Sequence, residues 1–262
     1  MTSYMNRKDL TETIIPPQRR EEISDAVRRA FDSIAQAAEQ AGRRPSDVRL
    51  LAAVKTRNVG EIMAAVKAGV RLLGENRPQE VMAVAPGLAQ ACREEGLDLG
   101  EQVGFHLIGQ LQSNKINKIL GLVSTVESVD SLELGVKLSS RAVRAGLSLD
   151  VFLEVNVSGE EAKSGCRPQE AEELAFALAQ LPNLVVRGLM TVGAHVDDEA
   201  QVRSGFAHLR RIREGILSQG EAGLDSCRDL SMGMSGDYPL AIAEGATIVR
   251  LGTALFGQRA YR

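Results

Sequence analysis

Lys55, Ser235, Arg250, Gly252 and Thr253 are the residues whose types and settings could do chemistry together. Lys55 stands at the far end of "VRLLAAVKTRN", an almost unbroken apolar run. An amine held among apolar residues loses part of its preference for the charged form, and the neutral amine condenses with aldehydes to a Schiff base. "SMGMSGD" and "VRLGTALFG" supply hydroxyls and glycine amides that a phosphate can approach closely. Ser235 is also expected to cap a helix through "YPLAIAEG". Arg250, two positions before Gly252, can aim at a ring nitrogen or at the phosphate itself. An aldehyde that carries a phosphate would bridge the amine and the glycine cradle, and pyridoxal 5′-phosphate (PLP) is the candidate.

Such residues, scattered from position 55 to 253, can meet only if the fold brings strand ends to one place. The spacing predicts an amphipathic helix over 19–41, with Ile23, Val27, Ala30, Phe31, Ile34, Ala37, Ala38 and Ala41 on one face and Gly42 as its stop. A run over 48–54, apolar on both faces, then reads as a strand of a parallel sheet. A helix over 59–68 follows, closed by Gly69. Further short runs begin at 71, 104, 122, 150, 184, 228 and 247, alternating with helical segments, which makes eight strands. With no Pro-, Gly- or Ser-rich linker between them, they predict an α/β protein built as a single TIM-type (β/α)₈ barrel over 19–262. The 19–41 helix is expected to close the outer ring, because little chain follows the last strand. Residues 1–18 are expected to be a flexible tail ending at Pro16-Pro17. In such barrels the site is built from loops at the carboxyl ends of the strands, with phosphate held after strands seven and eight. Strand one adjoins strand eight once the barrel closes, which brings Lys55 to the same mouth.

Composition excludes several other roles. The formal net charge is −3, and basic residues are interspersed with acidic ones, so no stripe suits a phosphate backbone and nucleic acid is not an expected partner. Cys92, Cys166 and Cys227 are too dispersed for a disulfide framework, and are expected to be reduced core residues. His106, His195 and His208 match no ligand pattern, so no metal is expected. No apolar stretch approaches the roughly 18 residues a membrane span needs, and a cytoplasmic location is expected.

"LLAAVKTRN", "LLGENRPQE", "FHLIGQLQSNK", "VNVSGEEAKSG", "RGLMTVG", "LSMGMSGDYPLAI" and "GATIVRLGTALFG" together resemble the ordered motifs of the pyridoxal phosphate homeostasis protein family, over about residues 20–258. The resemblance implies a fold-type III barrel related to the N-terminal domain of alanine racemase, with PLP bound through Lys55. It also implies phosphate contacts at Ser235, Gly252 and Thr253, and Arg250 facing the ring nitrogen or phosphate. Asn76, His106, Asn156 and Met190 match pocket-lining positions. Departures from the family pattern fall at Val59-Gly60, Arg77-Pro78 and Gln110, none of them at the lysine or phosphate positions.

The family implies cofactor homeostasis: reversible holding of PLP and its delivery to apoenzymes. A related racemase needs a tyrosine from a second domain, which this chain is expected to lack, its tyrosines being Tyr4, Tyr238 and Tyr261. A non-catalytic monomer is therefore expected, with an amino-acid racemase or decarboxylase as the alternative and a lysine aldolase as a second rival. Lys163, in the "GEEAKSG" loop, is either a relay amine for cofactor release or a solvated loop lysine. His106 is either a hydrogen-bonded wall of the pocket or a proton donor.

Overall fold

Apolar residues on both faces make Arg49–Ala53 (β1) a strand that must be covered twice, by helices outside and by side chains across a barrel inside. Seven more parallel strands follow: β2 (Leu72–Glu75), β3 (Gly104–Leu107), β4 (Thr125–Val129), β5 (Leu149–Glu154), β6 (Leu184–Met190), β7 (Asp229–Ser231) and β8 (Ile248–Leu251). They close in chain order, β8 pairing with β1 in the register Leu51↔Arg250. The computed structural model describes residues 9–160, 163–193, 196 and 198–258.

Among the described residues the helices are α1 (Pro17–Gln40), α2 (Val59–Lys67), α3 (Pro78–Glu94), α4 (Ile116–Ile119), α5 (Leu132–Ala145), α6 (Ala171–Ala179), α7 (Glu199–Ser218), α8 (Tyr238–Ala243) and α9 (Thr253–Phe256). Local signals fix several ends. Asn58 and Glu61 form a reciprocal cap on α2, the Glu61 amide donating to Asn58 Oδ1 at 3.0 Å. α1 packs against α2, α8 and α9, so it fills the place in the outer ring that the last strand leaves open. It buries Ile23, Val27, Ile34 and Ala38 there, as the periodicity requires.

Two expectations about the N-terminus need correction. Pro17 opens α1 rather than ending a loose segment, since the first helical position has no use for the N–H that proline lacks. Residues 9–16 are not loose either: Leu10 and Ile15 are buried, and the Val59 and Gly60 amides donate to the carbonyls of Leu10 and Glu12. Residues 1–8 of the expected tail lie outside the described residues. Gly60 permits the contact, because a Cβ there would fall 2.6 Å from the Thr13 carbonyl oxygen.

Inside the barrel Leu51, Phe152, Met190 and Ile248 form an apolar layer, joined by Leu72 and Ile108. Outside it, one continuous core lies between strands and helices. Cys92, Cys166 and Cys227 are free and buried, and burial pushes the thiols of Cys166 and Cys227 up to about 12. No described helix is long and apolar enough to cross a membrane.

Candidate functional site

At the carboxyl ends of β1, β7 and β8 lies a cavity of about 450 Å³, within the range of small-ligand sites. Lys55, Ser235, Arg250, Gly252 and Thr253 all line it. Sequence reasoning thus brought together the amine, the hydroxyls and the guanidinium from three separate strand ends.

Lys55 is aimed by a tight turn. The Arg57 amide donates to the Val54 carbonyl, and Thr56 between them takes φ 60°, a left-handed conformation that a β-branched residue adopts only under compulsion. Thr56 is buried and cannot relax toward solvent. Arg57 then closes the rim of the cavity: its guanidinium donates to the Gly257 carbonyl at 3.0 Å and stacks 5.4 Å from the Phe256 ring centre.

Across the cavity, the β7 and β8 loops meet where Thr253 Oγ1 lies 3.4 Å from Ser235 Oγ. Ser235 does not cap α8; Asp237 occupies that position, and its carboxylate accepts from the Met234 amide. That leaves the Ser235 hydroxyl for the cavity. Among the described residues neither the Ser235 nor the Gly236 amide has a hydrogen-bond acceptor, and a Cβ on Gly236 would meet nothing within 4 Å. Free amides, two hydroxyls and open space suit an anionic group.

Arg250 is buried at the cavity wall, donating to Ser231 Oγ at 2.8 Å and to the Thr191 carbonyl at 2.7 Å. Burial lowers its pKa, opposed by Glu127, Glu154 and Asp237. Nearby, Glu75 is buried, and among the described residues neither carboxyl oxygen meets a hydrogen-bond partner at bonding geometry. Burial and then the adjacent Glu80 raise its pKa well above the usual carboxylate range, Lys55 acting in the other direction. No group of three or more metal-ligating side chains occurs among the described residues.

The alanine racemase N-terminal domain family matches residues 24–260 of the chain. The pyridoxal phosphate homeostasis protein of Pseudomonas aeruginosa is 42% identical over 239 residues, covering 91% of this chain and 96% of its own. The chain belongs to the pyridoxal phosphate homeostasis protein family. Among solved structures, a protein of unknown function from Bifidobacterium adolescentis matches with a TM-score of 0.94 and 58% identity, covering 95% of this chain and all of its own. PipY of Synechococcus elongatus, with PLP bound, matches with a TM-score of 0.70 and 34% identity over 86% of this chain and all of its own.

Against the pocket-lining positions that the family resemblance implies, all four placements differ. Asn156 Nδ2 donates to the carbonyls of Glu160 and Lys163, so it shapes the loop after β5 instead of facing the cavity. Met190 packs in the apolar barrel layer beneath the cavity. Asn76 lies where its carbonyl is approached by Gly109, at which a Cβ would fall 2.3 Å away, and it does not line the cavity. His106 sits within β3, not after it, and lines a second cavity at the opposite end of the barrel. The departures at Arg77-Pro78 and Gln110 are structural: Pro78 begins α3, and Gln110 donates to Ser164.

Sequence reasoning missed Arg57, Asp237, Glu127 and Glu154. For Glu127 and Glu154 a signal existed, since each is an acid within a run read as a barrel strand, and a buried acid needs a reason. Tyr238 bonds Ser33 between α8 and α1 and does not line the cavity; Tyr4, Tyr261 and His195 lie outside the described residues.

Proposed function

We propose that this chain binds PLP in the cavity between β1, β7 and β8, holds it as a reversible Schiff base on Lys55, and delivers it to apoenzymes. The observation that carries the reading is a single cavity with an amine on one side and free amides with two hydroxyls on the other. PLP supplies an aldehyde for the amine and a phosphate for the amides. The relatives' shared name and the PLP in PipY support the same assignment.

Within that reading each residue has a task. Lys55 supplies the nucleophile, Ser235, Gly236, Gly252 and Thr253 bind the phosphate, and Arg250 faces the ring from below. Arg250 keeps its charge close to the ring nitrogen, which holds that nitrogen unprotonated and weakens the ring as an electron sink. Storage is favoured over turnover on that ground, and partners are transient apoenzymes met in the cytoplasm by a monomer.

Direct transfer, as opposed to hydrolysis by water, calls for a second amine to displace Lys55. Lys163 Nζ is held by the Glu160 carboxylate at 2.7 Å and by the Gly193 carbonyl at 2.9 Å. A Cβ on Gly193 would lie 3.1 Å from Asp237, a cavity residue, so the Lys163 amine waits beside the mouth. It is the proposed relay.

The test is a spectrum of the purified protein with added PLP. Wild type is expected to develop the visible band of a lysine-bound cofactor and Lys55→Ala to lose it, while Lys163→Ala keeps the band but transfers PLP more slowly to an apoenzyme. A wild type that stays colourless overturns the assignment. Turnover of an amino acid overturns its non-catalytic part in favour of a racemase or decarboxylase.

A further inference from the structure

Four side chains from four strands join into one hydrogen-bonded chain across the barrel interior. His106 Nδ1 on β3 donates to Glu127 Oε1 on β4 at 2.6 Å. Ser231 Oγ on β7 donates to Glu127 Oε2 at 2.6 Å, and Arg250 on β8 donates to Ser231 Oγ at 2.8 Å. All four residues are buried, with exposures of 5, 0, 0 and 6% in that order. The Glu127–Ser231 contact spans the barrel, since β4 and β7 are not neighbours in the sheet.

The ends of this chain open on different cavities. Arg250 lines the upper one, beside Lys55, whereas His106 lines a lower one of about 540 Å³ at the amino ends of the strands. His106 Nδ1 must carry a proton, because Glu127 offers only acceptors to it. Among the described residues Nε2 has no partner, and it is the atom left to exchange with the lower cavity.

A buried carboxylate is costly unless its charge is matched and its lone pairs are filled. Burial works against ionisation of Glu127, but the hydrogen bond and charge of His106, with Arg250 and Ser231, hold its pKa below the usual carboxylate range. Glu127 is therefore the fixed anion against which the Arg250 guanidinium is oriented, and the His106 ring N–H is its donor from β3.

We propose that His106 and Glu127 are positioning residues for the upper site: through Ser231 they fix the Arg250 guanidinium, so that a proton gained or lost at the lower cavity is felt where Arg250 faces a ligand ring. The identity of that ligand rests on the PLP reading above. Other charges act at each end. Around the lower cavity Arg49 pairs with Asp229, Arg187 pairs with Asp150, Arg71 donates to the Val66 and Val70 carbonyls, and Glu101 lies on the rim. At the upper end Glu154 and Asp237 act on Arg250. Those lower pairs are closed on themselves, which leaves His106 as the lower cavity's entry to the chain.

The experiment has two arms. In the first, ring proton–nitrogen NMR follows the titration of His106 without cofactor, its signal identified by its loss in His106→Gln. Ser231→Ala and Arg250→Lys are each expected to shift the His106 midpoint although neither position touches the ring, and Ser231→Thr, which keeps the hydroxyl, is expected to restore it. An unchanged midpoint in the folded variants overturns the proposal. In the second arm, the visible band of bound PLP is recorded against pH. His106→Gln and Ser231→Ala are expected to displace the profile in the same direction, and the double variant no further, as members of one chain should. Additive displacements overturn the proposal. A wild type that takes up no PLP sinks the functional reading alone, and the first arm still decides the connection.

Discussion

Lys55 and Arg250 reach one cavity from the two strands that close the barrel. Arg250 is the register partner of Leu51, and Lys55 stands four residues after Leu51, two past the end of β1, lining the same cavity as the guanidinium. Ala53 and Lys55 both line the cavity, with Leu51 in the apolar barrel layer. The amine thus shares its cavity with a fixed positive group whose own contacts all point away from the cavity, to Ser231 and the Thr191 carbonyl.

Replacing Arg250 by methionine should be severely destabilising. The change removes both of these hydrogen bonds and a buried positive charge that acts on Glu127, and leaving a buried polar group without its partner costs about 1–3 kcal/mol each. Chemical denaturation should show that loss, with Arg250→Lys intermediate because it keeps charge but not the fork. A methionine variant as stable as wild type would mean that Glu127 is satisfied by His106 and Ser231 alone.

Thr56→Gly should separate strain from stability. Relieving a β-branched residue at φ 60° returns about 1–3 kcal/mol, while the added freedom of glycine in the unfolded chain costs about 0.5–1 kcal/mol. Stability is expected to stay level or rise, and the rate of PLP capture by Lys55 to fall as the turn loosens. A clear drop in the unfolding midpoint would show that the left-handed turn stores no strain.

Gly60→Ala should detach the N-terminal segment. The new methyl would strike the Thr13 carbonyl and Ile15 Cγ2 at 2.6 and 2.9 Å, and two backbone hydrogen bonds from α2 hold that segment in place. Overpacking of this kind costs about 1–3 kcal/mol. Limited proteolysis should cut within residues 9–16 in the variant and not in wild type; equal resistance would show that the segment shifts without detaching.

The contrast between Gly60 and Lys55 shows what was legible in the sequence. All eight strands and the ring-closing α1 follow from apolar periodicity, which is a local property. Lys55, Ser235, Gly252 and Thr253 were found because barrel topology brings strand ends to one mouth. Periodicity does not show where an irregular segment docks, so the packing of Leu10 and Ile15 on α2 was missed. Nor does it show which way a polar side chain is satisfied: Asn156 turned into its own loop, and His106 pointed to the far end of the barrel. Glu127 stands in plain sight within "TVESV", but its partners come from β3 and β7, distant in sequence.

Glu154 should give stability a distinct dependence on pH. It ends β5, is buried, and its carboxyl has no hydrogen-bond donor among the described residues. Burial first, then Asp130, raises its pKa from 4.5 to about 7, with Arg250 opposing. Between those values the folded chain holds a proton that the unfolded chain has released. The stability associated with Glu154 is therefore fully present below about pH 4.5, declines as pH rises, and is lost above about pH 7. The window corresponds to roughly 3 kcal/mol, at about 1.4 kcal/mol per pH unit. Glu154→Gln keeps the shape and removes the titration. Glu75 contributes a loss of the same sign in both proteins, so the difference between wild-type and variant unfolding free energies isolates Glu154. That difference should change across the window and level off beyond it. If it stays constant from pH 4 to 8, Glu154 takes up its proton alike in the folded and unfolded chain, and Arg250 offsets both its burial and Asp130.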